Sequence, residues 1–436
     1  MITLEAILLF ISGWGSGTLL ENHYGDPFIV GTGRILIIPL LGLVGFILYV
    51  FSGAGKKQSR ERTRFFIAAA TTLAILLTIV SQQVSIRVHG QKGFGKNDGA
   101  VQTEEAARFF LHGINPYTAQ YHNTSFRYFF SRDTPNGDHV ADTHYAYLPT
   151  VFLLDVPGVW LKDHLGAPVD FQTISVIALL GLSTLLIWSV KSWTTRTQVL
   201  LLTIGNPFIW VFPISGFNDM IYLCFLVGAV VATIHKRWVW AGLAFGLTVA
   251  TKQTAWATIP FLFWWWWWYK RQFPQETKGL KQMVAYALVT AGIFLVPFII
   301  WSPYNFYDDA VRYVAGVIPW SYPISGVTFL QYLRIWRLIP SPWTVIPAAP
   351  FQLFAATPVL LLGAKFIRRK PSIENWLSVS TILVLVLTLF NRFGPGNYYS
   401  AVLTMAIASY VLGYLRPKEK NEAEKKYGHG VRPAQK

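Results

Sequence analysis

Asp98 is the residue in this sequence whose type and setting most invite chemistry. Gln102 and Glu105 follow it at helical spacing, so the three side chains could share one face of a short helix. A carboxylate so placed can take the proton from a hydroxyl within hydrogen-bond reach, which accelerates nucleophilic attack by about 10²–10⁴-fold. It can equally serve as a helix N-cap, accepting backbone N–H bonds. Glu104 and Arg108, at i,i+4, read as a surface pair of small energetic weight. A turn, Gly113-Ile114-Asn115-Pro116-Tyr117, closes the segment.

Two cations stand out by position. Lys252 and Arg392 fall at the ends of apolar runs opposite to the ends where the other basic residues collect. An anionic partner would explain both, and the planar Arg392 fork could grip one through two parallel hydrogen bonds. Snorkelling, or pairing with an acid such as Asp219, is the alternative. Asn218-Asp219 opens an apolar run, where the helix dipole stabilises an acid and where both side chains could hold substrate hydroxyls. Tyr398 and Tyr399 could pack on a ligand, in the interface belt or simply in the core. Asp138, His139, Asp142 and His144 form a polar stretch that could bind a divalent metal, acceptor hydroxyls or neighbouring loops. No residue is assigned as a metal ligand from spacing.

The elements that must position these groups are membrane helices. Of 436 residues, 53% are hydrophobic, 16% aromatic and 13% charged, against about 25% charged in soluble domains. Apolar runs lie near 3–20, 28–52, 65–86, 171–190, 198–213, 219–235, 238–251, 254–270, 282–301, 345–366, 374–391 and 397–415, about twelve spans of bilayer length. Basic residues follow every even-numbered run, which puts both termini in the cytoplasm and accounts for the net charge of +16 without nucleic acid. Tyr147–Leu161, interrupted by Pro149 and Pro157 and carrying Asp155, is read as an interfacial helix, because counting it as a span would invert the later loops. A long external loop, 87–170, then carries Asp98. A second external stretch covers about 302–344. The tryptophans Trp264–Trp268 read as an interface anchor. Cys224 has no intrachain partner, so there is no disulfide framework. MITLEAILLF has no basic leader and is read as a retained first helix. Residues 416–436 form a charged, basic tail read as disordered.

Asp98 with Glu105-Ala106-Ala107-Arg108-Phe109-Phe110-Leu111-His112-Gly113-Ile114-Asn115-Pro116-Tyr117, then Tyr147-Leu148-Pro149, resembles the first external loop of the GT-C superfamily of membrane glycosyltransferases. Asn206-Pro207-Phe208, Gly216-Phe217-Asn218-Asp219, Lys252-Gln253 and Asn391-Arg392 continue the likeness over about 65–415, nearest to glycosyltransferase family 87. The resemblance implies an all-α, polytopic GT-C-like catalytic domain over 65–415; the two helices and basic cytoplasmic loop read in 1–64 lie outside the pattern. It implies a mannose-like hexose carried on a polyprenyl phosphate and an extracytoplasmic glycan or glycolipid acceptor at the plasma membrane. Asp98 matches the catalytic base, and Lys252 and Arg392 would face the donor phosphate. Glu105, Asn115, Tyr117, Asp142, His144, Asn218, Asp219, Gln253 and Tyr398 would line the substrates. A transporter or lipid flippase using Asp155 and Asp219 is the alternative from another class.

Overall fold

The computed structural model describes residues 3–13, 32–52, 56–89, 96–128, 141–319 and 321–416; Asp138, His139 and nearly all of the C-terminal tail lie outside them. The described chain is nearly all helix, with one two-residue parallel pairing of Ser325–Gly326 with Phe393–Gly394. Residues 14–20 of the first apolar run and 28–31 of the second lie outside the described residues; where its residues are described, each run read from the sequence carries a helix or a pair of helices. Five of these are long and apolar enough to cross a membrane among the described residues: Lys57–Val84, Phe171–Trp188, Pro274–Trp301, Ala349–Arg369 and Gly396–Leu415. The run at 198–213 is not one straight span. It is two helices, Trp193–Leu202 and Pro207–Ile214. Gly205 and Asn206 fall at the break, and Pro207 cannot donate into the preceding turn.

The chain divides into two compact units, Met1–Thr78 with Ser183–Pro207 and Ala406–Lys436, and Ile79–Leu182 with Phe208–Met405. In the first, Gly13 and Gly42 let the Leu4–Gly13 and Thr32–Phe51 helices touch backbone to backbone, since a Cβ on either would strike the other. Gln198 there donates to Glu5 across 2.8 Å.

The second unit contains every residue assigned above from spacing or resemblance, apart from Asn206-Pro207. Its Trp238–Thr251 helix packs on Asp219–Ile234 and on Thr277–Trp301. Gly242 and Gly246, one turn apart, lie against the backbone at Met283 and Ala287, so side chains there would separate the helices. Such small-residue spacing lets membrane helices gain dispersion contacts at close range. Tyr147–Leu161 is not interrupted by its prolines, although it stays below the length of a membrane span. Pro149–Leu165 is one 17-residue helix, with Pro149 in the first turn, where its missing N–H costs nothing, and Pro157 accommodated inside. The Asp98–Leu111 helix packs across it.

Candidate functional site

Asp98 is held at the mouth of its helix by neighbours. Asn97 N–H donates to Ser215 O at 2.7 Å, fastening the loop to the turn after Pro207–Ile214. The N-cap is Asn97, whose side chain accepts the Gly99 N–H at 2.9 Å. The reading of Asp98 as the cap therefore gives way: it is the first helical residue, and its Oδ1 shares that same N–H at 2.8 Å. Among the described residues no ammonium or guanidinium pairs with Asp98. Gly99 is required because a Cβ would overlap the Tyr147 hydroxyl, which places that phenol beside the Asp98 backbone. Gly216 has φ +89, and a Cβ there would press on Ala100.

Asp98 lines a cavity of about 410 Å³ with Asn218, Lys252, Gln253 and Tyr398. Lys252 adopts an extended conformation, φ −150 and ψ 136, between the Trp238–Thr251 helix and the short turn Gln253–Thr258. That break in the helix aims its side chain inward. Nζ donates to Asn218 Oδ1 at 2.8 Å and to Asp219 Oδ1 at 2.5 Å, and lies 5.2 Å from the centroid of the Tyr398 ring. Asp219 Oδ2 accepts from Asn397 Nδ2 at 2.6 Å. Lys252 and Asp219 are 6% and 2% exposed, so this is a buried ion pair with its polar atoms satisfied. Pairing with Asp219, the alternative for Lys252, is thus realised, while Lys252 still borders the cavity. Gln253 Nε2 donates to Ala146 O and Ala310 O, both at 3.0 Å, which joins two walls of the cavity.

Arg392 is a correction. It is 2% exposed and does not line the cavity. Its donors go to backbone carbonyls instead: Nε to Tyr322 O at 2.5 Å, Nη1 to Thr344 O at 2.7 Å and Nη2 to Pro342 O at 3.2 Å. The guanidinium ties the 322–344 segment to the end of the Ile373–Leu389 helix. Arg392→Ala strands the Tyr322 and Thr344 carbonyls, while Pro342 O keeps the Ile324 N–H at 2.8 Å; each stranded carbonyl costs about 1–3 kcal/mol when buried without a donor. Thermal unfolding should register at least about 2 kcal/mol of lost stability, with only part recovered by Arg392→Lys, because an ammonium cannot reproduce the planar fork.

Three further assignments move from substrate to scaffold. Glu105 accepts from Arg108 Nη1 at 2.9 Å and from the Ser125 hydroxyl, away from the cavity. Asn115 caps its own turn, Oδ1 accepting Tyr117 N–H at 3.0 Å. Tyr117 is 2% exposed among Tyr145, Phe298 and Phe306, its hydroxyl donating to Tyr147 O at 2.8 Å. Gln102, expected on the Asp98 face, instead donates to Ala141 O and His144 O, both at 2.8 Å. Asp142 and His144 also lie outside the cavity lining.

The expected Glu104–Arg108 pair is replaced by longer-range partners. Arg108 grips Asp163 through Nε and Nη2 at 2.8 and 3.0 Å. Glu104 takes Lys96 at 2.7 Å and Lys162 at 3.0 Å. Burial opposes ionisation of Glu104, but the two ammonium groups outweigh it and bring the carboxyl down to about 2. Asp155, fully buried one layer away, has neither oxygen hydrogen-bonded. Burial, reinforced by the Glu104 charge, pushes it up to about 8 from 3.8. The folded protein therefore keeps a proton on Asp155 across the window from 3.8 to about 8, where the unfolded chain releases it. Its contribution to stability falls as pH rises through that window. Asp309 is also pushed up to about 8, mainly by burial, so the difference between Asp155→Asn and wild type is the useful quantity. The variant should gain stability relative to wild type as pH rises from 5 to 8; a constant difference in thermal midpoint would refute the assignment.

Sequence reasoning missed Asn97, Tyr147 and Asn397. Asn397 sits one residue before Tyr398, so proximity in sequence was the available signal. For Tyr147 the signal was Gly99, whose necessity appears only once the two helices are packed.

Fold and site define a helical protein with several membrane-length apolar helices and one cavity that joins an unpaired carboxylate to a buried ion pair. No family model, curated protein or solved structure matches the chain.

Proposed function

We propose that this protein is a membrane glycosyltransferase of the GT-C kind, with about twelve spans and both termini in the cytoplasm. It moves a mannose-like hexose from a polyprenyl phosphate to a glycan or glycolipid hydroxyl outside the cytoplasm. The observation that carries the reading is the placement of Asp98 and Lys252 on one cavity, the carboxylate without a cationic partner and the ammonium already oriented. Asp98 accepts the acceptor proton as the hydroxyl oxygen attacks the anomeric carbon, and the bond to the donor phosphate breaks. Lys252 offsets the phosphate charge. Asp219, Asn218 and Asn397 hold Lys252 in place. Arg392 has no part in this scheme beyond supporting the wall.

The transporter alternative needs Asp155 and Asp219 along a path through the bilayer. Asp155 is enclosed between helices and Asp219 is committed to Lys252 and Asn397, so neither borders the cavity. The direct test incubates the purified protein in lipid nanodiscs with radiolabelled polyprenyl-phosphate hexoses and envelope glycolipid extract. Label should pass to the glycolipid fraction, and absence of transfer from every hexose donor would overturn the proposal.

A further inference from the structure

His144 and the pair Asp308-Asp309 are separated by more than 160 positions, yet one ligand atom from each lies within 4.8 Å of the others. The sequence reading had looked for a metal within the 138–144 stretch itself. The fold supplies a different set, drawn from both segments outside the long apolar helices.

Each member is oriented from behind. Thr143 Oγ1 lies 2.9 Å from His144 Nδ1, and the ring stacks on Tyr313 at 4.8 Å, leaving Nε2 directed at Asp308 Oδ2, 3.4 Å away. Two ligands held at about 2.1 Å around a tetrahedral ion stand about 3.4 Å apart. Arg312 donates to the other Asp308 oxygen at 2.6 Å, which fixes that carboxylate without covering Oδ2. Asp309 is 3% exposed. Its Oδ2 accepts the Tyr145 N–H at 2.9 Å, and among the described residues Oδ1 takes no hydrogen bond and no basic side chain pairs with the group. A carboxylate buried this deeply without a cation is expensive unless something positive joins it. Arg312 is paired with Asp308 alone, so Asp309 keeps one oxygen open to a cation. His144 and Asp308 keep 22% and 16% side-chain exposure, enough for an ion to reach them from solvent.

We propose that His144, Asp308 and Asp309 bind one divalent first-row transition-metal ion, of the zinc or manganese class, and that this ion clips the 141–146 segment to the 308–313 segment. Imidazole with two carboxylates suits such ions better than magnesium or calcium, which favour oxygen alone. The clip lies beside the cavity wall, since Ala146 and Ala310, joined by Gln253, border the cavity. It is a positioning element, and its presence is independent of whether the cavity transfers sugar.

The test uses the full-length protein in detergent, stripped with chelator and passed through a desalting column, then titrated with zinc chloride or manganese chloride by calorimetry. Retained metal is counted by mass spectrometry. Wild type should hold one ion per chain and gain thermal stability on loading. His144→Gln and Asp309→Asn, which preserve size and the Tyr145 hydrogen bond, should bind at least tenfold more weakly and lose the thermal gain. Asp142→Asn should behave as wild type. Failure of wild type to retain either metal, or equal retention by both site variants, would overturn the inference. Neither readout depends on turnover, so the metal clip and the glycosyltransferase assignment fail separately.

Discussion

Asp98→Asn should transfer sugar about 10²–10⁴-fold more slowly than wild type, the contribution expected of a positioned base. The structure makes this a clean substitution. The helix keeps its cap, because Asn97 rather than Asp98 supplies the capping oxygen, and an amide oxygen at position 98 can still accept the Gly99 N–H. No ion pair is broken, so thermal unfolding should move little. Turnover of labelled donor in nanodiscs, measured beside the thermal midpoint, separates the two roles. Wild-type turnover would remove Asp98 from the chemistry, and a large drop in midpoint with unchanged turnover per folded molecule would make it structural.

Lys252→Met should be costly in two ways that can be pulled apart. Removing the ammonium leaves Asp219 buried with Asn397 as its remaining recorded donor, and breaking a buried pair from one side typically costs about 3–5 kcal/mol. Replacing both members, in Lys252→Met/Asp219→Asn, removes the uncompensated charge and should restore most of that stability. Donor binding should not return, because the phosphate would still lack its cation. Chemical or thermal unfolding of the single and double variants reads the first effect, and the donor concentration needed for half-maximal transfer reads the second. A double variant with normal donor dependence would strip Lys252 of its phosphate role, whereas a single variant as stable as wild type would show that the pair does not hold the cavity wall together.

The two cations singled out by position illustrate what a sequence can and cannot resolve. Lys252 and Arg392 looked alike, each at the end of an apolar run where positive charge is disfavoured. Folding sent them different ways. Lys252 sits where a helix breaks into an extended residue, so its side chain turns into the cavity and meets Asn218 and Asp219. Arg392 sits beneath a loop that contributes three carbonyls to its fork. Backbone carbonyls leave no trace in residue type, and no pattern in the sequence could have announced them. Glu105, Asn115 and Tyr117 failed for a related reason. They occur in the motif that carries the family resemblance, yet their side chains are consumed in holding the segment's own shape.

The sequence by itself determined that the chain is helical and suited to a bilayer, because apolar runs of this length must satisfy their backbone bonds internally as helices. It also located Asp98 at the opening of a short polar helix and grouped Asn218 and Asp219 at the start of another. Tertiary structure decided which charges are spent and which are left over. Ion pairs such as Lys252–Asp219 and Glu104–Lys162, and the meeting of His144 with Asp308 and Asp309, join residues far apart in the chain. Hydropathy records how each residue partitions between water and lipid, whereas the pairing of buried charges depends on distances of a few ångströms that only packing sets.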